Sequence, residues 1–336
     1  MKETVTKTKH PWIVGICIGA IALGYFYLLA NSRHPEPGPN LLYDTKPFED
    51  VDKIDTRFEE TGCIVPAVEA PKALAVDAGG KIYVTGKDAV QVLDEDGNEL
   101  ERFAVDAPPT CISLAPGGDI LLGIRNRILV LDAAGSVRTE WPALDSRAYI
   151  TSIAANDTDV FVADAGNRVV LRFGKDGTLK NRIGETDPNR DVPGLLVPSP
   201  YLDLAFDRDG TLWVSNPGRL GLESYRENGD LITSWYRPTL KLDGFSGCCN
   251  PSHIAFRADG KLITCEKGLI RIKVYESTSG EFEELIAGSG LFPRQQSVRD
   301  LAVDSRDRIL VLDPRYNAIR VFEEKEEGDD GTDQQA

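Results

Sequence analysis

A unit of apolar strand, polar turn carrying Asp or Gly, and apolar strand recurs six times in this chain, and that repeat constrains the fold more than any other feature. The copies begin at Ala73 (ALAVDAGGKIYVTGKDAVQVLDEDGNELERFAV), Cys111 (CISLAPGGDILLGIRNRILVLDAAGSVRTEW), Ile150, Tyr201, Pro251 and Val298. A spacing of about 40–50 residues is the length of one four-stranded propeller blade. Alternation within each short run gives a strand one buried and one exposed face. The turns at residues 94–97, 175–177 and 227–229 place Gly where a tight hairpin needs positive φ. The apolar runs are too short for helices and lack a 3.6-residue period, which excludes a helical solenoid. The expected architecture is therefore all-β, a six-bladed β-propeller over residues 50–325. The sixth copy stops near Phe322, one strand short. Residues 55–63 (DTRFEETGC), ahead of the first copy, are expected to complete that blade, pairing both chain ends and leaving no open sheet edge.

The segments outside the repeats are of a different kind. Residues 12–30 (WIVGICIGAIALGYFYLLA) carry no charge, and a helix of that length spans roughly the 30 Å hydrocarbon layer. They predict an N-terminal transmembrane helix. A cleaved signal is the weaker reading, because Leu28 spoils the small-x-small pattern before Ala30 and the apolar run is long. Residues 1–11 form a basic end whose Lys2, Lys7 and Lys9 place the N-terminus in the cytoplasm, leaving the propeller periplasmic or extracellular. Residues 31–49 read as a Pro-rich stalk, and residues 326–336 as an acidic tail too poor in apolar residues to fold. The formal net charge is −15, with no clustered Lys and Arg to displace counterions from phosphates, so nucleic-acid binding is not expected.

Copies three and six, VADAGNRVVLRF from Val162 and VLDPRYNAIRVF from Val311, resemble the NHL-repeat signature, in which Asp, Asn and Arg surround the second hairpin. The other four copies keep its period but not all of it. The resemblance implies a propeller of the NHL and TolB-like kind. Members of the NHL-repeat family serve mostly as platforms for RNA or proteins, and some bacterial ones are extracytoplasmic sensors. A smaller related group, including peptidylglycine amidating lyase, carries metal-dependent chemistry. This chain departs from that group: of its three histidines only His253 lies in the repeats, so no multi-histidine zinc site can be assembled.

Chain direction brings the blade-to-blade connectors and the loops after each second strand to one face. Three connectors are long, at residues 184–200, 237–251 and 288–297, and long loops concentrate function. Cys63, Cys111, Cys248, Cys249 and Cys265 all map to that face. Three readings of them stand open, one being that they are inert free thiols. Outside the cytoplasm, cysteines commonly pair as staples. Alternatively the run FSGCCNPSH, residues 245–253, forms a vicinal disulfide, or joins Cys248, Cys249, His253 and Cys265 around a soft metal such as copper or zinc.

Asp164 and Asp313 occupy equivalent loop slots, where carboxylates either hold a cation or, more often, fold their own turn. Arg168 and Arg315 belong to a set of loop arginines that either stand solvated or make the channel mouth locally positive. Leu240, Leu242 and Phe245 either form an apolar docking patch or pack down over the blade ends. No nucleophile elbow, phosphate loop or paired-carboxylate spacing is present. The expected role is a scaffold that binds another envelope protein or a small ligand; the alternative is a redox or metal-dependent enzyme, or an electron-transfer accessory, centred on Cys248 and Cys249.

Overall fold

The computed structural model describes residue 54 and residues 56–292, 298–313 and 315–325. The proposed span, its flanking segments and the acidic tail lie outside them. Among the described residues no helix is long and apolar enough to cross a membrane.

Each repeat folds as an antiparallel four-stranded sheet, and there are six such sheets. Five are consecutive in sequence. The sixth joins Asp300–Val303, Ile309–Asp313 and Ala318–Glu324 to Phe58–Ile64, so the strand ahead of the first repeat closes the ring as expected. Arg320 fixes this closure, donating to both oxygens of Glu60 at 2.9 and 2.6 Å across the joint.

Turn chemistry explains the hairpins. Asp77 accepts the backbone N–H groups of Gly79 and Lys81, Asp132 those of Ala134 and Ser136, and Asp207 those of Asp209 and Thr211. Each carboxylate satisfies two amides that no strand partner reaches, and the Gly three residues on (Gly80, Gly135, Gly210) takes the positive φ that closes the turn.

Burial grades outward through each blade. Second and third strands such as Asp159–Asp164 and Gly221–Tyr225 are buried throughout, whereas the outer strands Glu99–Ala104 and Val137–Glu140 are mostly exposed. The core is accordingly six interblade layers rather than one mass. In one, Ile263, Ile272 and Val274 of blade five pack on Ile309, Val311 and Phe322 of blade six. The six inner strands contact one another in a closed ring around a central channel.

Candidate functional site

Cross-strand pairing fixes which residues ring the channel. Ala73, Cys111, Ser152, His253 and Asp300 pair with Thr85, Gly123, Ala163, Cys265 and Leu312, and Asp203 stands one residue before the Leu204–Val214 pair of blade four. They are one position repeated in six blades. At this level the blades are stitched together by side chains. Asp203 accepts Ile254 N–H of blade five at 2.7 Å, and Asp300 accepts Leu74 N–H of blade one at 2.8 Å. Thr110 donates to the Ile150 carbonyl at 2.7 Å, and Thr151 to the Leu202 carbonyl at 2.5 Å.

Above this ring lies a cavity of about 790 Å³, lined among others by Lys72, Tyr149, Tyr201, Asp203, Cys248, His253, Lys267, Arg299 and Asp300. That volume is within the range of small-molecule sites. Its electrostatics are distinctive. Burial raises the Asp203 carboxyl to about 6, and burial, with Asp203 adding to it, raises Asp300 to about 7. Burial, reinforced by the charge of Lys72, lowers His253 to about 4, so the imidazole is neutral at pH 7. On the rim, Lys267 Nζ stands 4.6 Å from the centre of the Tyr201 ring, and Tyr201 meets His253 edge-on at 6.4 Å.

The residues singled out from the sequence fare unevenly. Phe245 is fully buried, stacked on Trp235 at 6.1 Å with Lys273 Nζ 4.5 Å from its ring, so it is core and not a docking surface. Leu240 and Leu242 are half-buried, and their carbonyls accept hydrogen bonds from Arg271 and Lys273. Of the three, Phe245 alone is folded into the core, while Leu240 and Leu242 keep part of their surface exposed. A connector lying over the blade ends gains more by burying its aromatic ring than by displaying it.

Asp164 is buried and accepts the N–H of Tyr149 and of Asn167 together with the Asn167 side-chain amide, and Asp313 accepts Arg315 N–H and a long bond from Arg320. Both are turn and connector acceptors here. Arg168 and Arg315 are exposed, Arg315 lying over Tyr316 at 5.1 Å. The cations that do line the cavity are Lys72, Lys267 and Arg299.

The five described cysteines are free, so the expected staples are absent among the described residues. Cys111 and Cys265 are buried singly, each with its thiol pKa pushed far up by burial. Cys63 is exposed on the strand that closes blade six. Cys248 and Cys249 lie with sulfurs 3.3 Å apart, Cys248 exposed into the cavity and Cys249 buried. Although Cys265 pairs with His253 across the ladder, no three His, Cys, Asp or Glu side chains among the described residues are grouped as a metal requires. The four-ligand site drawn from the sequence is thus not assembled.

Lys72, Asp203, Arg299 and Asp300 escaped the sequence reading. The signal was available: aligning the repeats on their [LI]-A-[VF] inner strands puts Asp203, His253 and Asp300 in one column and Lys72 and Arg299 in the column before it.

Comparison with known proteins places the architecture and no more. No family model matches, and no curated protein is similar enough to match. Among solved structures, a streptogramin B lyase superposes with TM-score 0.55 at 16% identity, covering 79% of this chain and 97% of that one. Virginiamycin B lyase from Staphylococcus aureus gives 0.54 at 17% identity, covering 76% and 81%. The WD40 β-propeller domain of Doa1 gives 0.55 at 10% identity, covering 80% and 98%. At such identities the likeness establishes that this chain is a β-propeller; with its own six sheets in a ring, it is a six-bladed one.

Proposed function

We propose that this chain is a membrane-tethered, extracytoplasmic propeller of the NHL type that binds a small polar ligand at the mouth of its central channel. The observation that carries the reading is the cavity of about 790 Å³ lined by charged, hydroxyl and imidazole groups from several blades, above a floor fastened by interblade hydrogen bonds. Such a floor is rigid, so the lining groups are held in place before a ligand arrives. Burial of Phe245 weighs against an apolar protein-docking role for this connector. The uncharged residues 12–30 and the lysines before them support the tether and its orientation.

The test uses Cys248 as a reporter. In a Cys63→Ser background, Cys248 is labelled with an environment-sensitive fluorophore and a panel of small polar solutes is titrated. Saturable emission changes that weaken in Tyr201→Ala are expected. A panel in which nothing saturates, alongside intact folding, would overturn the reading.

A second reading rests on the 3.3 Å sulfur separation at the cavity lip, which favours a redox role for the vicinal pair. It predicts that a mild disulfide oxidant removes two titratable thiols per chain in the wild type and none in a Cys248→Ser/Cys249→Ser double variant. Retention of all thiols after oxidation would exclude it.

A further inference from the structure

The ligand reading leaves open what kind of group the cavity holds, and its cations narrow the choice. Lys72 and Arg299 precede the inner strands of blades one and six, which are neighbours in the closed ring, and both side chains line the cavity. Their charges repel: Lys72 has its ammonium pKa lowered by burial and then by Arg299, with Asp300 only partly opposing. Two like charges in a half-buried site are costly without a counter-charge.

The nearby carboxylates are occupied elsewhere. Both oxygens of Asp300 accept main-chain N–H groups, from Leu74 at 2.8 Å and Leu301 at 2.8 Å. Both oxygens of Asp203 do the same, with Leu204 at 2.9 Å and Ile254 at 2.7 Å. Among the described residues, Arg299 Nε is buried with no hydrogen-bond partner, and neither Lys72 nor Arg299 has a side-chain ion pair. A buried guanidinium N–H left without an acceptor loses its hydration without return. Arginine also presents its donors as a planar fork suited to a two-oxygen acceptor.

We infer that Lys72 and Arg299 form an anion clamp that seats a compact oxyanionic group, a carboxylate or a phosphate, of the small solute bound in the cavity. This rests on the proposed ligand site and specifies its chemistry. The clamp is local: the chain as a whole is strongly acidic, so attraction of anions by general surface charge is excluded as an explanation of such binding.

The experiment uses the full chain in detergent and calorimetric titration with three probes: inorganic phosphate, succinate, and succinamide as the neutral match of succinate. Succinate or phosphate is expected to bind and succinamide to fail. Lys72→Met and Arg299→Met, which keep the apolar stems, should each weaken anion binding on the order of 10- to 100-fold, the equivalent of losing one charge-assisted hydrogen bond. Lys72→Arg and Arg299→Lys should retain most of it, which separates loss of charge from loss of fold. Phosphate bound without succinate would assign the clamp to phosphate, and the reverse to carboxylate. Succinamide binding as tightly as succinate, or anion binding unchanged in both methionine variants, would overturn the clamp. Neither anion binding, while neutral solutes still saturate the Cys248 reporter, would also overturn it and leave the cavity reading standing; silence in both assays would remove both.

Discussion

Glu266 is the residue whose change should damage this protein most visibly, through the connector that carries the Cys248–Cys249 pair. Its carboxylate is fully buried with Arg271 Nε at 2.7 Å and Lys273 Nζ at 2.9 Å, both equally buried, and it accepts the Ser246 N–H at 2.8 Å. The two cations in turn donate to the carbonyls of Leu240, Lys241, Leu242 and Gly244, so the triad bolts the connector to blade five. Glu266→Gln keeps the shape but leaves two buried cations facing a neutral amide. Removing one partner of a buried ion pair costs about 3–5 kcal/mol, which for a domain of this size lowers Tm by roughly 6–20 °C.

The assay is urea denaturation followed by tryptophan fluorescence. Trp235 packs 5.4 Å from Tyr275 and 6.1 Å from Phe245, beside the triad, and so reports its loss directly. The midpoint should fall with little change in slope. Burial already lowers Lys273 to about 8, against the opposing pull of Glu266. Without Glu266 the lysine sheds its proton more readily, and a neutral lysine needs no counter-charge. The loss should therefore shrink as pH rises from about 6 to about 9, and Glu266→Gln/Lys273→Met should recover part of it. A loss below about 1 kcal/mol, or one unchanged across that pH range, would refute the reasoning.

Two further outcomes follow from the ring. Deleting residues 1–64 removes Phe58–Ile64 together with the Glu60 partner of Arg320 and exposes the edge of blade six, so the truncated chain should lose its cooperative unfolding transition; an unchanged transition would show that the closure is dispensable. His253, the one histidine of the repeats, should titrate near 4 by NMR in a protein comprising residues 41–336, and a midpoint near 6.5 would place it in water instead. A base held below its ordinary value of about 6.5 contributes stability that is present above that value and lost as pH falls through about 4.

The fold was legible because propeller blades are built from local rules. Repeat length, strand alternation and Asp–Gly turns each act within a few residues, so blade count and even the strand borrowed from the N-terminal side could be read from ALAVDAGGKIYV and its five relatives. The turn roles of Asp164 and Asp313 were among the open readings for the same reason, since the N–H groups that donate to them lie within the loop or the adjoining connector.

What the sequence alone could not decide is where side chains from distant repeats meet. Phe245 reads equally as a docking or a packing residue until Trp235 and Tyr275 close over it, and the roles of the cysteines stay open until their separate burial shows which ones can meet. Lys72 and Arg299 lie 227 positions apart and become neighbours only because Phe58–Ile64 closes the ring and sets blade six beside blade one. Local chemistry determined the blades; closure of the ring, a long-range event, decided which charges share the channel mouth.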